Sequence, residues 1–396
     1  MLRLRVVLST WGRFHFFHLA RQIERRGWLE AIFTIYPRFK LRDEGGIPVE
    51  KIKCDWVLEA IIQVAVRSGI PRARLEALEI LRVKLHDRYL LKRMPTCDAF
   101  IALSGSGQVV GPMVQRNGGI YICDRGSAHI EWQLRLLEDE YRRFGEAFLR
   151  PPEWFIAREI AEYATADRIV VPSQFAARSY LDQGLPRERV EIVPYGANLS
   201  RFSPVARPPD GEFVVLFVGR VGLGKGIPYL LEAFHRFKHP HKRLKIIGDV
   251  GAEIRRYLAR APLDGVQFLG PVRNAELAAH YSSAHVFILP SIEDGFGMVM
   301  SEALACACPV IATTNTGAQE LFDHGIEGFI VPPRDPSALA DAMTALADDP
   351  SRRARMREAA LARVHILNGW DNYGTAYERI LLAATGRSKV QHSISG

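Results

Sequence analysis

Two stretches carry residue types that could do chemistry. The first is Pro290-Ser291-Ile292-Glu293-Asp294-Gly295-Phe296-Gly297-Met298-Val299-Met300-Ser301-Glu302. An apolar run, Val286 to Leu289, precedes it, and a helical pattern, Val299 to Ala305, follows, so a strand, a glycine turn and a helix start coincide. Backbone N–H groups at Gly297 and Met298 would then point from a helix N-terminus into the crevice at the C-terminal edge of a parallel sheet, where an anion fits. Asp294 and Glu302 stand eight residues apart, placing one carboxylate at the crevice and the second about two helical turns deeper. Carboxylates accept hydrogen bonds from hydroxyls, as binding of a sugar or ribose requires.

The second stretch, Val218-Gly219-Arg220-Val221-Gly222-Leu223-Gly224-Lys225-Gly226, also follows a strand and opens a helix. It matches neither G-x-x-x-x-G-K-S/T nor G-x-G-x-x-G, so its reading rests on Arg220 and Lys225. Two cations beside a glycine turn can neutralise charge building on a departing diphosphate without a metal; the bland alternative is an ordinary surface turn. The acidic run Glu138-Asp139-Glu140 lies in a helical pattern rather than at a strand end and is not read as a metal motif. Five cysteines, odd in number and mostly far apart, do not form a disulfide framework. With no convincing histidine pair at ligand spacing, no metal site is expected.

These stretches need elements to position them. Arg5 to Leu8 is a short apolar strand, followed by Gly12 in a loop and a helical pattern ending near Gly27. Further strands are expected at 31–35, 99–103, 119–123, 168–171 and 190–193, with helical spacing between them. The segment from Arg201 to Gly211 is proline-rich and aperiodic, as a linker would be. Strands then resume at 213–218, 244–247, 266–269, 286–289 and 309–312, so the alternating pattern starts twice. At 396 residues the chain exceeds what one core normally supports. The expected organisation is an N-terminal Rossmann-like domain at 1–205, a second at 206–369, a helix at 370–384 packing back on the first, and a disordered tail at 385–396.

Composition excludes the exotic classes: 48% of residues are hydrophobic and 24% charged. There is no apolar run long enough to span a membrane and no signal-peptide pattern at the start, so a cytoplasmic location is expected. Residues 1–205 hold 31 Lys and Arg against 24 Asp and Glu, while the remainder holds 21 against 20. Nearly all of the net +8 therefore lies in the first half, concentrated between Lys51 and Arg93. An anionic partner or membrane surface fits that stretch, and a solvated helix face fits it equally. No nucleic-acid motif is found.

Taken together, the ordered motifs resemble glycosyltransferase family 4. They are Ala166-Asp167-Arg168 to Ser173, Val193-Pro194-Tyr195-Gly196, Val218-Gly219-Arg220 with Lys225-Gly226, Gly248-Asp249, Leu269-Gly270-Pro271-Val272, and Pro290 to Pro309. The resemblance covers most of the chain and implies the GT-B fold: two facing, doubly wound α/β domains with a cleft between them. It implies a retaining hexosyl transfer from a UDP- or GDP-sugar to a glycan or lipid-linked glycan, by a metal-independent front-face route, with the nucleotide sugar as substrate rather than cofactor. Polysaccharide assembly at the cytoplasmic face of an inner membrane would suit it. Arg220 and Lys225 would bind the diphosphate, Glu302 the ribose, and Asp294 with the backbone of Gly295, Phe296, Gly297 and Met298 the sugar. Gly270, Val272 and Arg273 would border the base, and Gly12 would let the ligands approach the first loop.

Two departures stand out. Asp294 replaces the usual Glu, with Glu293 one position out of register. The N-domain histidine expected after the strand at 119–123 is displaced, leaving Asp124 or His129 to take its role. The rival readings are a catalytically silent nucleotide-sugar-binding subunit and an epimerase on the same fold; a dehydrogenase lacks its glycine fingerprint here.

Overall fold

The computed structural model describes residues 3–387 apart from 42, 43, 69, 198 and 368. The tail expected to be disordered lies, from residue 388 on, outside the described residues. The first sheet contains β1 (Val6–Thr10), β2 (Leu29–Thr34), β3 (Ile52–Cys54), β4 (Ala99–Leu103), β5 (Ile120–Asp124), β6 (Arg168–Val171) and β7 (Val190–Ile192). Their order is β3-β2-β1-β4-β5-β6-β7. The second contains β8 (Phe213–Val218), β9 (Lys242–Ile247), β10 (Val266–Gly270), β11 (Val286–Leu289), β12 (Val310–Thr313) and β13 (Gly328–Val331), ordered β10-β9-β8-β11-β12-β13. Every strand pair is parallel.

Parallel strands covered on both faces are apolar throughout, and β8, Phe-Val-Val-Leu-Phe-Val, is buried at all six positions. In the first sheet alternation sorts the side chains. Val6, Leu8, Ile32 and Ile101 enter one apolar cluster, and Val7, Ala31, Phe33 and Phe100 enter another on the opposite face. The first of these clusters also takes Tyr373, Tyr377 and Leu381 from the C-terminal helix Gly369–Ala384, which therefore returns to the N-terminal sheet. Gly196 permits that return, because a Cβ there would overlap the backbone of Gly369 and Trp370. Two strands go beyond the sequence reading, β3 and β13, of three and four residues. Both are sheet edges, too short to show a period.

The order of strands reverses between β1 and β4 in one sheet and between β8 and β11 in the other. At such points the flanking connections leave on opposite sides and open a crevice beyond the strand ends. The two halves meet there. Ser173 donates to the Gly295 carbonyl at 2.6 Å, and a Cβ on Gly295 would overlap the Gly126 carbonyl oxygen. Arg334 of the second half pairs with Glu140 of the first at 2.7 Å, so the acidic run at 138–140 serves a domain contact.

Candidate active site

At the β8/β11 crevice, the turns after both strands pack together. Gly226 has φ +70° and lies so close to the Pro290 carbonyl that no Cβ fits, which locks the two turns in register. The lock brings Lys225 Nζ to 2.6 Å from Asp294 Oδ2. Burial opposes the charge on Lys225, but Asp294, with Glu293 adding a little, outweighs it and raises the ammonium's pKa. Lys225, Asp294, Phe296, Gly297 and Met298 wall a cavity of about 300 Å³, closed on the other side by Gly126 and Tyr195. Among the described residues the amides of Gly297 and Met298 have no hydrogen-bond partner.

The sequence reading of Glu302 needs correction. Gly297 is in the left-handed region and the helix begins only at Val299, so Glu302 sits in its first turn rather than two turns down. Its carboxylate accepts from the Tyr281 hydroxyl at 3.0 Å, and burial raises its pKa. It is not on the wall of this cavity.

A second cavity, about 710 Å³, shares Val218 and Gly219 with the first. Gly248, Asp249, Pro271 and Val272 line it, and Arg220 stands on its rim. The Arg220 guanidinium is 65% exposed and pairs with Glu253 at 3.0 Å. Gly270, at φ +65°, turns the chain into the Pro271-Val272 wall. Arg273 is directed elsewhere: its side chain is 85% exposed and paired with Glu276.

The third cavity, about 750 Å³, opens at the β1/β4 crevice and shares Gly126, Tyr195 and Met298 with the smallest one. Trp11, Phe14, Phe155, Tyr195 and Trp370 give it aromatic walls; His15, Arg82, Arg125 and Glu159 supply polar ones. Gly12 is not itself on the wall but packs against a residue that is: a Cβ at that position would strike the Phe14 ring.

Neither of the N-domain candidates faces this space. Asp124 is 1% exposed; it accepts from His15 Nε2 at 2.8 Å, from the Tyr373 hydroxyl at 3.3 Å, and from the Tyr377 hydroxyl. His129 is packed between Tyr163 and Tyr180, where burial and then the Arg125 charge push its pKa down to about 4. The histidine on the wall is His15, at the head of helix Phe16–Arg25. Glu293, out of register by one, has a different duty: it accepts from Ser127 at 2.8 Å and Gln133 at 2.9 Å across the domain boundary. Nothing in the local sequence marks His15 or Trp370 for these places, and nothing there shows that Glu293 serves the domain boundary, because each gains meaning only from partners far along the chain.

Among the described residues no three His, Cys, Asp or Glu side chains gather as a metal site would require, and no helix is long and apolar enough to cross a membrane.

Residues 200–363, which hold both glycine turns and the walls of the second cavity, match the family model for glycosyl transferases group 1. D-inositol 3-phosphate glycosyltransferase 1 of Catenulispora acidiphila is 33% identical over 305 residues, covering 71% of this chain and 70% of that protein. The chain belongs to the group 1 glycosyltransferases, family 4. A second relative, the D-inositol 3-phosphate glycosyltransferase of Pseudarthrobacter chlorophenolicus, is 34% identical over 234 residues. That match covers 54% of this chain and 56% of the relative, so the chain spans little more than half the length of that relative. The Anabaena protein HepE, solved with UDP-glucose, superposes with a TM-score of 0.65 at 18% identity, covering 96% of this chain and all of HepE. The group 1 glycosyltransferase therefore has the GT-B fold that the motifs implied.

Proposed function

We propose that this group 1 glycosyltransferase moves a hexose, with retention, from a nucleotide-diphosphate sugar to a hydroxyl of an acceptor held by the N-terminal half. The observation that carries the reading is the row of three cavities with shared walls, the Lys225–Asp294 pair lying in the middle one. The nucleoside takes the cavity beside Pro271 and Val272, the diphosphate and sugar take the middle, and the acceptor takes the aromatic chamber. As the sugar–phosphate bond breaks, Lys225, Arg220 and the amides of Gly297 and Met298 stabilise the charge passing to the diphosphate. The acceptor hydroxyl forms its bond to the anomeric carbon on the face the diphosphate leaves, and its proton passes to a leaving phosphate oxygen. Asp294 orients Lys225 and takes sugar hydroxyls. Glu302 reaches the ribose by turning from Tyr281. This route requires no metal.

HepE was solved with UDP-glucose and the relatives bear the name of a phosphorylated inositol acceptor, which makes UDP-hexoses and D-inositol 3-phosphate the first probes. GDP-hexoses and lipid-linked glycans complete the panel, the latter because the exposed basic helix face of the N-terminal half suits an anionic membrane surface on the cytoplasmic side. The test is transfer and acceptor-free hydrolysis across that panel, with and without EDTA, and NMR of the product anomer. An inverted anomer, or loss of turnover in EDTA that a divalent ion restores, would overturn the mechanism. No transfer, no hydrolysis and no nucleotide-sugar binding would overturn the function.

A further inference from the structure

We infer that His15, held by Asp124, is the residue that receives the attacking hydroxyl of the acceptor, an assignment that rests on the proposed glycosyl transfer. Three placements carry it. His15 lines the aromatic chamber but not the middle cavity. Its ring meets Tyr195 at 4.4 Å, tilted by 30°, Tyr195 in turn meets Phe296 of the donor-side loop at 5.4 Å, and Tyr195 walls both spaces. The edge of the His15 ring also lies beside Gly126, the other residue of the N-terminal half that walls both. His15 therefore stands where a hydroxyl from the chamber would meet a sugar in the middle cavity.

The hydrogen bonding fixes what it can offer there. Asp124 Oδ1 takes His15 Nε2 at 2.8 Å, and Oδ2 is occupied by the hydroxyls of Tyr373 and Tyr377. A carboxylate only accepts, so in the neutral ring the proton is placed on Nε2 and the Nδ1 lone pair is free. Nδ1 has no partner among the described residues, and it is not one of the sealed, partnerless polar atoms of the interior, as His86 Nδ1 and His129 Nδ1 are. An acceptor of hydrogen bonds, open to the chamber and held at a set angle, is what orients a hydroxyl for attack. Asp124 is a positioning residue, and the two tyrosines make the C-terminal helix part of the acceptor site.

The experiment separates the two ring nitrogens. Asparagine's side-chain oxygen can occupy the place of Nδ1, whereas glutamine's amide can occupy that of Nε2 and keep the bond to Asp124. With D-inositol 3-phosphate as acceptor probe, His15→Ala is expected to lower acceptor kcat/KM about a hundredfold. Acceptor-free release of nucleotide should fall far less, so the ratio of hydrolysis to transfer rises. His15→Asn should recover part of the transfer and His15→Gln should not. Recovery by Gln alone, or equal loss of hydrolysis and transfer, overturns the inference, because either makes the His15–Asp124 bond a structural brace. A second arm needs no turnover: long-range nitrogen–proton NMR should show the His15 proton on Nε2, and Tyr377→Phe, which keeps the ring packing, should increase tautomer exchange. A proton found on Nδ1 overturns it. A parent that processes no UDP- or GDP-hexose instead sinks the glycosyl-transfer reading, a result distinct from both.

Discussion

The interiors of the two halves differ in kind. The C-terminal sheet is enclosed by one continuous apolar cluster, and the only Asp, Glu, His, Lys or Arg side chains buried in that half, among the described residues, are His285, Glu293 and Glu327. The N-terminal half buries Glu44, His86, Asp87, Asp124, His129, Glu140, Arg158, Glu159 and Glu162. Arg158 grips Asp87 at 2.7 and 3.0 Å, and Glu162 receives the amides of Gly105, Gly107 and Gln108 at 2.6 to 2.7 Å. These bonds hold the loop after β4 beneath the aromatic chamber. The C-terminal half thus rests on a scaffold with few buried charged groups, whereas the N-terminal half is shaped by a charged network inside the domain. A turn can change without the scaffold, but a buried network cannot lose a member without leaving a partner unpaired.

The strongest way to break this contrast is at the donor turn. Lys225→Ala should cut turnover by about a hundredfold to a thousandfold, the scale of losing one preorganised charge partner, while thermal stability changes little. Arg220→Ala is expected in the same direction. Stopped-assay turnover and a melting curve on the same samples check both. Near-normal turnover would remove the diphosphate role from this turn, and a collapse in stability would show that the donor scaffold is not independent of its polar groups.

Next in size is an acid effect on the N-terminal half. His129 has its pKa pushed down to about 4 from an ordinary value of 6.5. Below 6.5 the unfolded chain binds a proton that the folded chain refuses, so this group's contribution is present above 6.5 and is lost as pH falls towards 4. His129→Phe keeps a ring between Tyr163 and Tyr180 and removes the titration. Its stability relative to the parent should therefore improve by about 1.4 kcal/mol for each pH unit across that window. Urea unfolding at several pH values gives the slope; a parallel pair of curves would show that His129 is not neutral in the fold.

A smaller effect is expected where the halves meet. Glu293→Gln exchanges an acceptor for a donor opposite Gln133, weakening the closed arrangement by about 1–2 kcal/mol. The check is small-angle scattering without donor, in which the variant should have the larger radius of gyration. An unchanged radius would mean that the Ser173 and Arg334 contacts suffice.

The same contrast explains what the sequence could disclose. In the C-terminal half Lys225, Asp294, Gly297 and Val272 fall within short motifs, and the structure places all four on cavity walls. Glu302 lies a turn nearer the helix start than its spacing implies because Gly297 delays the helix, and Arg273 shares the Gly270 loop although its side chain turns to Glu276. In the N-terminal half the decisive bonds link residues 109 positions apart, His15 to Asp124, and 253 apart, Asp124 to Tyr377. No window on the sequence contains such a pair. Strand patterns behaved alike: β8 is readable from six apolar residues, and β3, Ile-Lys-Cys, is not.

The last and smallest difference concerns the outer surface of the N-terminal half. Helix Val57–Arg67 exposes Val57, Ile61, Val64 and Val66, and helix Arg72–Arg93 exposes Leu81, Leu85 and Leu91. Around them Arg67, Arg74, Lys84, Arg88, Lys92 and Arg93 are exposed, whereas Arg82 pairs with Glu59 at 2.7 Å and faces the chamber. An exposed apolar stripe flanked by cations suits the boundary of an anionic leaflet, where each cation adds about 1 kcal/mol that salt screens. Arg82 has to stay out of any test variant, since replacing it would disturb the aromatic chamber. Lys84, Arg88, Lys92 and Arg93 changed together to Gln should leave transfer to a soluble acceptor intact and reduce sedimentation with anionic vesicles at low salt. Neutral vesicles should bind neither form. Equal binding of parent and variant to anionic vesicles would assign this face to plain solvation and leave the polar interior, not the charged exterior, as the feature that sets the N-terminal half apart.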